Sequence, residues 1–106
     1  MATLRSDGSP HVVPMGIALA ADTDVAWGIT SRTSRKVAHL RADARIAVNQ
    51  VDGRRWSTIE GTAEVIAEED AVDEAVRTYA ARYRQPRENP SRVALRITIT
   101  RVIGNV

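Results

Sequence analysis

Seven consecutive residues carry the densest chemistry in this chain: Thr30, Ser31, Arg32, Thr33, Ser34, Arg35 and Lys36. They offer four hydroxyls and three cations. They leave an apolar run at residues 25–30 and open a stretch in which Val37, Leu40 and Ala44 recur at helical spacing. A helix start presents free N–H groups and the positive end of the peptide dipole, and arginine can hold two oxygens at once. The segment therefore suits a phosphate. Without a ligand the same residues make a solvated, self-capping turn, with Ser34 or Ser31 as cap. No glycine-rich loop accompanies them, so no dinucleotide fingerprint is present. Lys36 is the sole lysine among fifteen basic residues; arginine abundance is a compositional habit, and a specific need for lysine at this position is the alternative reading.

Trp56 follows Gly53, Arg54 and Arg55. An indole beside guanidinium groups can stack on a flat heterocycle; the plainer reading is a ring closing one end of the fold. Trp27, in mid-strand, reads as core. His11 and His39 are too far apart in sequence for a compact metal-ligand spacing, and each reads as a surface residue. No G-x-S-x-G elbow points to a hydrolase. The absence of cysteine excludes a disulfide scaffold, an iron–sulfur site and a thiol nucleophile, and agrees with a reducing cytoplasm.

The elements that must position these residues are mostly strands. Residues 1–4 read as a strand entering a turn at Asp7-Gly8, since glycine supplies the positive φ of a tight hairpin. Residues 11–20 read as one strand that is bulged or at an edge, because Pro14 cannot donate to a ladder and Gly16 opens its backbone to close approach. A turn at residues 21–24 leads to a strand at 25–30, and the short helix follows. Residues 45–51 form a strand, Asp52-Gly53 a second hairpin turn, and 56–67 a long strand. Thr58, Glu60, Thr62 and Glu64 alternate there with Ile59, Gly61, Ala63 and Val65. Glu68, Glu69 and Asp70 favour the start of a second helix. Val72, Val76, Tyr79, Ala80 and Tyr83 make its apolar face. Residues 85–91 form a loop, and 93–103 the last strand. Six strands joined mainly by hairpins, with two helices, predict a mainly β fold: a six-stranded antiparallel barrel.

With 106 residues the chain is one domain, 1–106, too small for a deep private cleft. A ligand would sit more easily on a surface shared between subunits. Fifteen basic against thirteen acidic residues leave a net charge of +2, a nearly balanced surface. Two tryptophans and no phenylalanine offer few stacking platforms, so nucleic acid is not an expected partner. No apolar run has the roughly 18–20 residues of a membrane span, and no signal segment opens the chain.

Four segments in order resemble the pyridoxamine 5'-phosphate oxidase-like, flavin-binding split β-barrel superfamily. They are Ala-Thr-Leu-Arg-Ser-Asp-Gly-Ser-Pro-His-Val-Val-Pro-Met at 2–15, Ser-Arg-Lys-Val-Ala-His-Leu-Arg-Ala-Asp-Ala-Arg at 34–45, Glu-Gly-Thr-Ala-Glu at 60–64 and Ser-Arg-Val-Ala-Leu-Arg-Ile at 91–97. The resemblance implies a split β-barrel homodimer with its cofactor between subunits. That cofactor is flavin mononucleotide (FMN) or the deazaflavin coenzyme F420, with the small F420-dependent members most similar. It implies that Val13, Pro14 and Met15 run along the cofactor ring. It further implies that Thr30, Ser31, Ser34, Arg35 and Lys36 hold the phosphate, and that Arg55 and Trp56 contact the cofactor from the same or the partner subunit. The expected activity is hydride transfer to a small unsaturated or conjugated molecule. The alternative is a non-catalytic carrier of flavin, deazaflavin or haem. The resemblance implies no particular catalytic side chain. Relatives carry a helix and the beginning of the first strand before the first segment, so that part of the strand is expected to be missing here. Full pyridoxamine phosphate oxidases end in a substrate-binding segment with arginine and histidine. This chain ends at Gly104-Asn105-Val106, so its substrate is expected to differ from theirs.

Overall fold

The computed structural model describes residues 1–21 and 23–105. Along the chain come β1 (Ala2–Leu4), β2 (Pro10–Val12), β3 (Ala18–Leu19), β4 (Val25–Ser31), α1 (Arg35–Ala42), β5 (Arg45–Asp52), β6 (Arg55–Ile66), α2 (Glu69–Arg82) and β7 (Arg92–Gly104). Both Asp-Gly turns form as expected: Gly8 (φ 84°) joins β1 to β2, and Gly53 (φ 62°) joins β5 to β6. Of the turn expected at residues 21–24, Asp22 lies outside the described residues, as does Val106 at the chain end.

All strands belong to one antiparallel sheet in the order β2-β1-β5-β6-β7-β4-β3. The two edges, β2 and β3, are consecutive in sequence and joined only by residues 13–17. A linker that short spans at most about 20 Å, so the sheet must curl until its edges approach. The result is a barrel left split along one seam. Here the structure corrects the strand count from six to seven among the described residues. The expected strand over 11–20 is two short edge strands, because Pro14 lacks the donor needed to continue pairing.

The main core fills the concave side of the sheet with Ile17, Ala26, Leu40, Ile46, Val48, Ala63, Leu95 and Ile97. A second core lies under α2, where Trp27, Ala75 and Ala94 are buried with Ile29, Ile66 and Val72 around them. β4 and β7 are therefore covered on both faces, which is why Val93, Ala94 and Leu95 form an unbroken apolar run. The alternation expected along β6 is present, with Gly61 and Ala63 buried and Thr62 and Glu64 exposed. A bulge between Glu60 and Gly61 shifts its register against β7. A Cβ on Gly61 would stand 2.0 Å from the Thr98 carbonyl oxygen, so only glycine fits there. Among the described residues no helix is long and apolar enough to cross a membrane.

Candidate functional site: a cationic helix start beside the split seam

β4 ends at Ser31, paired with Arg92 at the start of β7. The chain then turns, with Ser34 N–H donating to the Ser31 carbonyl at 3.0 Å. Ser34 is the cap of α1, and its Oγ accepts from Val37 N–H at 3.4 Å. The first turn of α1 carries no acid. Thr30 is half-buried at the end of β4, Arg35 is exposed and Lys36 is half-buried. Ser31 Oγ is taken by Asn89, whose Nδ2 donates to it at 2.9 Å. Asn89 also accepts from Ser91 N–H, and Arg32 N–H donates to the Ser91 carbonyl. The loop before β7 thus braces the turn that leads into α1.

Residues 13–17 start beside this helix end. Met1 and Val13 exchange two backbone hydrogen bonds, of 2.8 and 3.0 Å. The Met1 amine has its pKa lowered by burial, and the field of Lys36 adds to this. Pro14 is exposed and Met15 half-buried. The Met15 side chain turns inward over Gly28: a Cβ there would lie 2.5 Å from Met15 Cε.

His11 and His39 meet in the same place, with ring centroids 4.9 Å apart in an edge-on arrangement. His39 Nδ1 is 2.9 Å from Thr3 Oγ1, itself buried. Neither histidine is the plain surface residue expected; both are half-buried. His11 Nδ1 is buried without a hydrogen-bond partner. Burial lowers the His11 pKa most, and His39, Arg5, Arg35 and Lys36 add to it. Of those neighbours, Arg5, Arg35 and Lys36 are cationic. Among the described residues neither Arg35 nor Lys36 forms an ion pair with a carboxylate. A dense set of donors without a balancing anion, around an orphaned buried nitrogen, fits a phosphate-bearing cofactor. No group of three or more metal-ligating side chains is gathered among the described residues.

Arg55 and Trp56 stand apart, at the tip of the β5–β6 hairpin. Trp56 is 39% exposed. Asn105 fixes this tip: its Oδ1 accepts from Trp56 N–H at 2.8 Å and its Nδ2 donates to the Arg54 carbonyl at 2.7 Å. No hydrogen bond or ion pair among the described residues links Arg55 or Trp56 to α1 or to residues 13–17.

Between residues 15–17 and the end of α2 lies a cavity of about 380 Å³. Met15, Ile17 and Ile59 give it apolar walls, and Gln50, Arg82 and Tyr83 line its other side. Tyr83 ends α2, is 44% exposed, and donates its hydroxyl to the Ile17 carbonyl at 3.1 Å. A Cβ on Gly16 would lie 2.9 Å from the Tyr83 ring, so the missing side chain makes room for it. The Arg82 guanidinium carbon is 5.1 Å from the Tyr83 ring centroid. Sequence reasoning assigned Tyr83 to the apolar face of a helix and passed over Arg82, Asn89 and Asn105. Asn89 before Pro90 is a turn signal, but its partner across the fold is not readable locally.

The comparison with known families decides the lineage. Residues 1–105 match the model of the family described as pyridoxamine 5'-phosphate oxidase. The chain belongs to this family. Within it, the chain is 43% identical over 105 residues to an F420H2-dependent biliverdin reductase of Mycobacterium tuberculosis, covering 99% of this chain and 77% of that protein. The crystal structure of a conserved hypothetical protein of Mycobacterium tuberculosis superposes with a TM-score of 0.82 at 28% identity, covering 97% of this chain and 72% of the other. A solved F420 reductase superposes with a TM-score of 0.77 at 22% identity, over 96% and 85% of the two chains, and shares the fold. The split barrel inferred from the four sequence segments is thus the family's fold.

Proposed function

We propose that this protein is an oxidoreductase that uses F420 to reduce a small conjugated acceptor. The observation that carries the reading is the 43% identity to an F420H2-dependent biliverdin reductase over nearly the whole chain. The carboxylate-free cluster at the start of α1 supports it. In this reading Arg35 and Lys36 neutralise the cofactor phosphate, with Ser34 and the α1 amides donating to it. The Thr30 hydroxyl completes the set, while Ser31 supports it through Asn89. The backbone of Val13, Pro14 and Met15 borders the cofactor ring. When bound, a reduced deazaflavin supplies a hydride, so the acceptor gains two electrons and takes its second hydrogen as a proton from solvent. The protein's part is to bind, orient and exclude water.

Arg55 and Trp56 complete the site from a second copy of the chain, which gives a homodimer with two sites. This assignment rests on their separation from α1 within one chain and on the exposure of Trp56 beside Val51, Val102 and Ile103. The reaction is placed in the cytoplasm, in keeping with a sequence that has no cysteine. Steady-state oxidation of reduced F420, measured with and without biliverdin, tests the reading. Acceptor-dependent oxidation is the expected result. Tight F420 binding with no acceptor-dependent oxidation would make the protein a carrier, and oxidation supported only by reduced FMN would move it to the flavin branch of the family.

A further inference from the structure

We infer that the cavity between residues 15–17 and the end of α2 is the acceptor pocket, and that Arg82 receives an acid group of a conjugated acceptor there. The inference rests on the hydride-transfer reading above and adds the chemical class of the acceptor.

Position is the first argument. Met15 lines this cavity and also belongs to the stretch assigned to the cofactor ring, so a molecule in the cavity touches the same residue as the cofactor. Shape and polarity are the second. Apolar walls from Met15, Ile17 and Ile59 beside the flat Tyr83 ring suit a planar, largely apolar molecule, and about 380 Å³ lies within the range of small-ligand sites. Charge is the third. Among the described residues, Arg82 is the one charged side chain lining the cavity, and no carboxylate there pairs with it. Its one polar contact among the described residues is to Gln50 Oε1 at 3.4 Å, too long to satisfy a guanidinium with five donors. The Tyr83 ring holds the guanidinium by a cation–π contact, leaving its fork to a bidentate anion.

Gly16 and Tyr83 act as positioning residues. The Tyr83 hydroxyl is fixed on the Ile17 carbonyl, and the ring packs where a Gly16 side chain would stand. Any side chain at position 16 must therefore displace the ring, and Arg82 with it.

Equilibrium binding of biliverdin and of biliverdin dimethyl ester tests this, measured by calorimetry on the full chain with and without F420. The expected result is preference for the free acid in the wild type. Arg82→Gln weakens the acid by about 10- to 100-fold, the scale of one charge-assisted hydrogen bond, and leaves the ester and F420 unchanged. Gly16→Ala weakens acid and ester together without affecting F420. The inference is overturned by equal binding of acid and ester by the wild type, by unchanged acid binding in Arg82→Gln, or by absence of binding for both forms. Loss of F420 affinity in Arg82→Gln also overturns it, by giving the cavity to the cofactor. A wild type that discriminates acid from ester but binds no F420 leaves the pocket standing and removes the F420 reading.

Discussion

Residues 93–95 and residues 13–17 are both short apolar runs, yet they have opposite fates. The first lies in β7 with β6 bonded on one side and β4 on the other, and Val93, Ala94, Leu95 and Ile97 are fully buried. The second leaves the sheet at Val12 and rejoins it at Ala18 on the far edge. Pro14 has no N–H, and among the described residues the amides of Met15 and Gly16 have no backbone partner. Stability is concentrated where the ladder is complete. The proposed cofactor contacts at residues 13–15 fall where the ladder is interrupted and backbone is free to meet a ligand.

This contrast can be broken at either end. The largest effect is expected from Leu95→Ala in the core, which should cost about 2–5 kcal/mol of unfolding free energy in a urea titration. Lys36→Ala should do the reverse. It should weaken cofactor binding by about 1.5–3 kcal/mol while changing unfolding by no more than about 0.5 kcal/mol. Tyr83→Phe removes the hydroxyl that ties α2 to the Ile17 carbonyl and should cost about 0.5–1.5 kcal/mol of stability.

The smallest effect is in the pH profile. The His11 pKa is lowered by burial and by His39, Arg5, Arg35 and Lys36, so the folded protein favours its neutral form. Between that lowered value and the ordinary 6.5 the unfolded chain binds more protons. This contribution to stability is therefore complete above pH 6.5 and is lost as pH falls below it. His11→Gln should flatten that slope in thermal melts recorded across the acid range.

Much of the scaffold was legible because it is local. The alternation along 58–65, the Asp-Gly turns at 7–8 and 52–53, and the acidic start of α2 each depend on neighbours in sequence. The seam was only half legible. Pro14 and Gly16 signal an interrupted strand, but ten short apolar residues do not reveal that the interruption carries the chain from one sheet edge to the other. For the site, the cations and hydroxyls at 30–36 stand together in sequence, and Ser34 caps the helix as expected. The facing of His11 with His39, the brace from Asn89 to Ser31 and the clamp of Asn105 on Trp56 join residues far apart in the chain. Those pairings follow from the order of strands in the sheet, which periodicity alone does not specify. Tyr83 shows the limit most plainly, because a tyrosine at helical spacing reads as core until its partner, Gly16, is known.

The measurement that tests the account most directly is a pair of binding titrations, F420 and FMN against the wild type and Lys36→Ala, followed by cofactor fluorescence. The account predicts tighter binding of F420 than of FMN by the wild type, and roughly 10- to 150-fold weaker F420 binding by the variant. Equal F420 affinity in the two proteins, or no F420 binding by the wild type, would contradict it.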